Sequence, residues 1–202
     1  MSEERKLDPA QEPEEEQAER PKLSDSDAMK VDMYFWLQAL VMALVGLILV
    51  FTFIGRIIGV DGESMMPTLH NRDMLLLQSI GYEPEQGDVV VLSKNTFHDG
   101  APIVKRIIAV GGQTVEIDYA AGTVSVDGAV LTEDYILEPM VQRSWQSVTT
   151  LTVPEGCIFV LGDNRNVSND SRNPALGAVE EGYLLGKVEL VLFPFANFGP
   201  VS

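Results

Sequence analysis

A run of apolar residues from Tyr34 to Phe53 constrains the fold of this chain more than any other feature of its sequence. An α-helix of about 20 residues is roughly 30 Å long, which matches the hydrocarbon core of a bilayer. Tyr34 and Trp36 stand near one end of the run, where aromatic rings favour the headgroup layer. The run therefore predicts a single N-terminal transmembrane helix, which we assign to residues 34–55.

Two other interpretations of the apolar run are a cleaved signal peptide and a buried helix of a soluble protein. The length of the run and the long acidic segment before it argue against a cleaved signal peptide. A buried helix is disfavoured because no polar residues mark an outer face. Lysines before the run place the N-terminus inside the cell. We predict a disordered acidic cytoplasmic tail at 1–33 and an extracytoplasmic domain at 56–202.

The composition excludes some classes of partner. The formal net charge is −16, so phosphate would be repelled and no nucleic-acid partner is expected. The single cysteine, Cys157, can form neither a disulfide within the chain nor a cysteine-based zinc site. No metal-ligand cluster or phosphate-binding loop is recognisable, so we expect neither a metal nor a cofactor.

From Gly59 onward the sequence has the texture of a β protein. Short runs rich in Val, Ile and Leu alternate with Gly, Asp, Asn and Pro, which is typical of strands separated by turns. Asp127-Gly128 predicts a hairpin, since this pair accepts the positive φ angles of a tight turn. We expect a mostly β domain, as a barrel or folded sheets. The predicted strands are 74–78, 88–92, 103–110, 114–117, 123–126, 149–153, 158–161 and 186–192.

Ser64 follows the predicted membrane helix closely, within the segment Gly62–Thr68. A serine hydroxyl is a weak nucleophile unless another group takes its proton. The chain has two histidines, His70 and His98, and the sequence excludes neither as that base. Neither histidine has an obvious carboxylate to orient it.

Lys105 stands within an apolar strand and is followed by Arg106. Neighbouring strand residues point to opposite faces, so we expect one of the two to be exposed and the other to point inward. Burial disfavours the charged form of a lysine, and a neutral amine can accept a serine proton. The alternative is that Lys105 reaches solvent, as most strand lysines do. A third polar segment, Leu161–Arg172, reads by itself as a turn with surface ion pairs.

Together these segments resemble the bacterial type I signal peptidases, which are membrane-bound Ser-Lys proteases. The resemblance covers nearly everything from Gly59 to the end of the chain, in the family's order. The matching segments are Ser64–Thr68, Gly87–Val91, Val104–Gly112 and Gly162–Arg172. It implies an all-β catalytic domain of the signal-peptidase type behind one membrane helix.

The resemblance also implies roles for individual residues. Ser64 is expected to be the nucleophile, with its own N–H as an oxyanion donor, and Lys105 the general base. Ser168 is expected to orient the Lys105 amine. In some family members a serine at the position of Gly62 adds a second oxyanion donor, which glycine cannot supply. The remaining expectations are an ion pair of Asp163 with Arg106, a loop brace of Asp170 with Arg172, and substrate contacts from Met65 and Pro67.

The implied substrates are exported preproteins, cut after small residues such as Ala-x-Ala at the outer face of the membrane. Membrane lipid and a nearby Sec-type translocation machinery are the expected partners. Phe193, Phe195 and Phe198 fit either a core or a surface that rests on the bilayer. Another Ser-Lys protease, related to self-cleaving repressors, is disfavoured by the membrane span. The remaining alternative is a membrane-tethered β domain that binds export machinery or signal peptides without catalysis.

Overall fold

The structure, a computed structural model, describes residues 25–53 and 55–201. The described residues fall into two compact units, one ending at Val45 and the other beginning at Gly46. Most of the predicted acidic tail, residues 1–24, lies outside the described residues.

The first element is a long helix, α1 (Asp25–Phe53). It contains one segment, Met29–Ile48, that is long and apolar enough to cross a membrane. The prediction of disorder was wrong for residues 25–33, which belong to the helix. That stretch lacks Pro and Gly, the two residues that most disfavour a helix interior.

The rest of the described chain is mostly β, as the alternating sequence predicts. Its helical parts after α1 are three single 3₁₀ turns. The weakest sequence signals belonged to short or Gly-containing strands, and four of these were not predicted: Gly55–Gly59, Ala129–Val130, Val179–Glu180 and Gly199–Pro200. The strands are β1 (Gly55–Gly59), β2 (Met74–Gln78), β3 (Val89–Leu92), β4 (Ile103–Val110), β5 (Thr114–Asp118), β6 (Thr123–Val126), β7 (Ala129–Val130), β8 (Thr150–Thr152), β9 (Cys157–Leu161), β10 (Val179–Glu180), β11 (Leu184–Phe193) and β12 (Gly199–Pro200).

Two antiparallel sheets contain these strands. The larger has the order β1-β2-β11-β3-β4-β9-β10, with β12 paired to β11, and the smaller has the order β7-β6-β5-β8. The predicted hairpin is confirmed: Val126 pairs with Ala129, and Asp127 and Gly128 have φ angles of 53° and 81°. The sheets follow each other along the chain, since β4 leads directly into β5.

Strand β4 is the element that fixes the site. It pairs with β3 on one side and β9 on the other, and it is buried along most of its length. Its apolar side chains enter three separate hydrophobic clusters through Val104, Ile108 and Ile107. A charged residue in the middle of this strand therefore has little freedom to move.

A patch of aromatic side chains lies on the surface at the C-terminal end of β11. Phe193, Phe195 and Phe198 are 54%, 82% and 57% exposed. The rings of Phe193 and Phe195 contact edge to face, with centroids 5.8 Å apart. The interpretation of these residues as core was wrong, because β11 ends at Phe193 and the chain turns outward in a 3₁₀ turn.

Candidate active site

Ser64 lies in a turn that is anchored to the core by residues that follow it. Met65 and Leu69 bury their side chains in the cluster between β1, β2 and β11. The N–H of Leu69 donates to the carbonyl of Met65 at 2.9 Å, which closes the turn. Ser64 itself stays half-buried, so its hydroxyl is held at a defined point with one side open.

The amine of Lys105 lies beside that hydroxyl. Nζ of Lys105 is 2.8 Å from Oγ of Ser64, and the two groups are hydrogen-bonded. The amine also donates to the carbonyl of Val104 at 2.7 Å. Only 3% of Lys105 is exposed, so the alternative of a surface lysine is wrong.

Burial lowers the pKa of the Lys105 amine from 10.5 to about 8. The carboxylates of Asp170 and Asp163 oppose this shift, whereas Arg172 adds to it. A substantial fraction of the amine is therefore neutral near physiological pH. A neutral amine has a lone pair that can accept a proton, and the nearest proton is that of the Ser64 hydroxyl.

Arg106 is also buried, so the expectation that one of the two neighbouring cations would be exposed was wrong. Only 2% of Arg106 is exposed. The ring of Tyr135 covers its guanidinium at 4.1 Å, a cation–π contact that closes the far face of β4. Both faces of the strand are therefore occupied by cations, each with its own set of partners.

Arg106 pairs with Asp163 beneath the site. Nε and Nη2 donate to the two carboxylate oxygens at 2.9 and 2.8 Å, a bidentate arrangement. Thr68 donates its hydroxyl proton to the same carboxylate at 2.5 Å, and Arg106 also donates to the carbonyl of Gly87. This group ties together the turn of Ser64, strand β4 and the polar loop after β9.

The polar loop Gly162–Arg172 is wholly different from the surface turn that its composition suggests. Asp170 and Arg172 form a fully buried bidentate pair, with donor distances of 2.8 Å. Asp170 also accepts from the N–H of Gly162, and Arg172 donates to the carbonyl of Arg165. The pair thereby braces both ends of the loop that carries Ser168.

The expected hydrogen bond between Ser168 and Lys105 is not formed. Within the described chain, the Lys105 amine is bound to Ser64 and to Val104, and the buried hydroxyl of Ser168 has no partner. The carbonyl of Val104, on the lysine's own strand, orients the amine instead. A Cβ atom at Gly162 would overlap both the Ser168 hydroxyl and the Ser64 carbonyl, so these two groups are close neighbours.

Sequence reasoning missed the residues that fasten the loop from the segment before β8. Glu133 accepts two hydrogen bonds from Arg165, at 3.0 and 2.6 Å, and the hydroxyl of Tyr135 also donates to Glu133. Glu133 and Tyr135 lie in an irregular stretch without periodicity, so no local pattern indicated them. Thr68, by contrast, stood within the recognised serine segment.

Ser64 and Lys105 open onto a cleft of about 390 Å³. The predicted substrate contacts of Met65 and Pro67 are not supported, since neither lines this cleft; Met65 is 1% exposed and packs in the core. His98 does line the cleft, but the Ser64 hydroxyl is bonded to Lys105. The lining residues are Asp61, Gly62, Glu63, Ser64, His98, Ala101, Pro102, Ile103, Lys105, Val167 and Asn169.

The arrangement suits a serine hydrolase. It combines a nucleophile at the mouth of a cleft with a desolvated amine within hydrogen-bond reach. Among the described residues, no group of three or more His, Cys, Asp or Glu side chains is placed to hold a metal ion.

Comparison with known proteins agrees with this class. The family model described as "Signal peptidase, peptidase S26" matches residues 33–193. Probable signal peptidase I-1 of Synechocystis sp. is 35% identical over 172 residues, which are 81% of this chain and 84% of the relative. Signal peptidase IB of Staphylococcus aureus is 34% identical over 187 residues, which are 84% of this chain and 94% of the relative.

A solved structure is also similar. The crystal structure of a signal peptidase I from Enterococcus faecalis V583 is 31% identical and covers 55% of this chain and 98% of its own, with a TM-score of 0.43. From the family match and the identities to the two relatives, this chain belongs to the signal peptidase family, peptidase S26, and is a serine endopeptidase.

Replacing Asp163 by Asn should lower the free energy of unfolding by about 3–5 kcal/mol, because Arg106 would stay buried without its counter-charge. The matched control is Lys187→Gln, which breaks the half-exposed pair of Lys187 with Asp88 and should cost less than about 1 kcal/mol. Urea unfolding followed by circular dichroism measures both. Equal losses in the two variants would contradict the structural role given to the buried pair.

Proposed function

We propose that the protein is a signal peptidase I that removes signal peptides from exported preproteins with a Ser64–Lys105 dyad. The observation that carries the proposal is the 2.8 Å contact between the Lys105 amine and the Ser64 hydroxyl, with the amine buried. A general base must lie within hydrogen-bond reach of the proton that it takes and must be deprotonated to take it. The geometry and the lowered pKa of Lys105 support both conditions.

In the first half of the reaction, Ser64 Oγ attacks the carbonyl carbon before the cleavage site while its proton passes to Nζ of Lys105. The oxygen of the tetrahedral intermediate then carries the negative charge. The N–H of Ser64 makes no hydrogen bond within the described chain, so it is free to donate to that oxygen. Lys105, now an ammonium, gives the proton to the departing amine, and an ester on Ser64 remains.

In the second half, a water molecule attacks the ester and Lys105 takes one of its protons. Collapse of the second tetrahedral intermediate returns a proton to Ser64 Oγ and releases the signal peptide as a carboxylic acid. The pairs Arg106–Asp163 and Asp170–Arg172 act through structure: each holds one of the segments that converge on the dyad.

Cleavage after small residues, as in Ala-x-Ala, fits the composition of the cleft. Ala101, Pro102, Ile103 and Val167 give it short apolar walls beside the dyad. Small pockets select small side chains because larger ones clash with the walls.

The proposed enzyme is anchored by α1, with the N-terminus in the cytoplasm and the catalytic domain outside. Preproteins would reach it there as they leave a Sec-type translocation machinery. The exposed aromatic patch of Phe193, Phe195 and Phe198 supports contact of the catalytic domain with membrane lipid, since aromatic rings favour the interface.

The proposal is tested by incubating the full chain in detergent with a preprotein ending its signal peptide in Ala-x-Ala and mapping products by mass spectrometry. The wild type should cut after the last Ala. Ser64→Ala should be silent, and Lys105→Arg should lose about 10²–10⁴-fold in rate, because a guanidinium does not deprotonate.

The matched control is Lys187→Arg, which changes a half-exposed lysine of the same domain and should cleave normally. A folded wild type that binds the preprotein without cutting it would favour a membrane-tethered binding domain. Normal cleavage by Lys105→Arg would remove Lys105 as the base.

The lipid contact makes a separate prediction. In vesicles, the double variant Phe195→Ser with Phe198→Ser should cleave a membrane-inserted preprotein about 3- to 10-fold more slowly, since interfacial binding scales with buried apolar area. Cleavage of a short water-soluble peptide should not change. The control replaces Val130 and Val141, which are 65% and 59% exposed, by Ser. Equal slowing in both double variants would contradict a specific role for the aromatic patch.

A further inference from the structure

Asn164 holds the backbone on both sides of Ser64. Its side-chain Nδ2 donates to the carbonyl of Glu63 at 3.1 Å, and its backbone N–H donates to the carbonyl of Ser64 at 3.0 Å. The first carbonyl belongs to the peptide plane before Ser64 and the second to the plane after it. One residue therefore restrains both backbone dihedrals of the nucleophile.

The plane before Ser64 carries the proposed oxyanion donor. In a trans peptide the carbonyl of Glu63 and the N–H of Ser64 point in opposite directions across a rigid unit. Anchoring the carbonyl therefore aims the N–H, which is free within the described residues. The N–H of Met66 also donates to the Glu63 carbonyl, at 3.2 Å, so loss of Asn164 would loosen this plane without releasing it.

Hydrogen bonding fixes the orientation of the Asn164 side-chain amide. Only 4% of the residue is exposed, and its Oδ1 has no hydrogen-bond partner within the described chain. A carbonyl oxygen such as that of Glu63 can only accept, so the NH₂ group must face it. Leaving Oδ1 of this buried amide without a hydrogen bond costs free energy. The amide nevertheless keeps the orientation in which Nδ2 donates to the Glu63 carbonyl.

We propose that Asn164 is a positioning residue that aims the N–H of Ser64 at the oxyanion of the tetrahedral intermediate. The inference rests on the proposed function of the Ser64–Lys105 dyad. Its importance follows from Gly62, which has no side-chain donor to share the task. Asn164 does not line the cleft, and its hydrogen bonds near the dyad are to backbone carbonyls, so it acts through the backbone.

The test compares kcat and KM of the full chain in detergent for Asn164→Ala and Asn164→Asp with a preprotein substrate. Removing a whole oxyanion donor costs about 10²–10³-fold in kcat, so misaiming one should lower kcat by about 10–100-fold and leave KM within about 3-fold. Asn164→Asp keeps the volume of the side chain and turns an oxygen toward the Glu63 carbonyl. If Asn164→Ala fails to fold, the kcat and KM of Asn164→Asp test the inference in its place.

A second measurement distinguishes misalignment of the Ser64 N–H from a general loss of structure. A peptide boronic acid forms a tetrahedral adduct with serine, so its affinity should fall with kcat, whereas the pH midpoint of the reaction should stay where it is in the wild type. The control is Asn166→Ala, two positions along the same loop, whose side chain binds Glu138, Pro139 and Val141 instead. It should lower neither kcat nor boronate affinity.

Three results would overturn the inference: unchanged kcat in a folded Asn164 variant, a change confined to KM, or equal losses in Asn164→Ala and Asn166→Ala. Failure of the proposed function looks different, because the wild type itself would then cut nothing.

Discussion

The burial of the Lys105 amine is the constraint on which the rest of the site depends. Desolvation lowers the pKa of this amine from 10.5 to about 8, which costs the fold roughly 3 kcal/mol at neutral pH. The sign follows from linkage: between about pH 8 and 10.5 the unfolded chain binds the proton more tightly, so this cost shrinks as pH rises through that window. A strand held on both sides and packed into three clusters keeps the amine in place despite the cost.

The buried ion pairs also hold the site in position. Arg106–Asp163 and Asp170–Arg172 add little net stability over apolar residues of similar size, because desolvation offsets most of the attraction. What they contribute is position. The hydrogen bonds of these pairs join Thr68, Gly87 and the Gly162–Arg172 loop. As a result, the segments that carry Ser64 and Lys105 are held with Oγ of Ser64 2.8 Å from Nζ of Lys105.

Much of the fold follows from local patterns, and the limits of those patterns are physical. Runs such as Ile103–Val110 and the Asp127-Gly128 turn are encoded by residues next to each other, and both were predicted. The burial of Arg106 depends on Tyr135, nearly thirty positions away in an irregular stretch, so alternation along the strand gave the wrong exposure. The same holds for Met65, whose place in the core is set by strands far along the chain.

The proposed catalytic pair was expected from the family resemblance alone. A lysine in an apolar strand is also compatible with an ordinary surface lysine, and no local pattern excludes that interpretation. The loop after β9 shows the reverse case. Its Asp, Asn and Arg residues suggest a solvated turn, yet most of them are buried and bonded to one another. The segment around Glu133 binds Arg165 of this loop, and nothing in the sequence of that segment marks it for this contact.

The most direct test of this account is the titration of the Lys105 side chain in the full chain in detergent. Lysine labelled at the ε position would be followed by NMR, with the Lys105 resonance assigned by its loss in Lys105→Arg. A midpoint near pH 8 is the predicted result. A midpoint near the ordinary lysine value of about 10.4 would show an amine that stays protonated at working pH, and it would contradict a Ser64–Lys105 dyad.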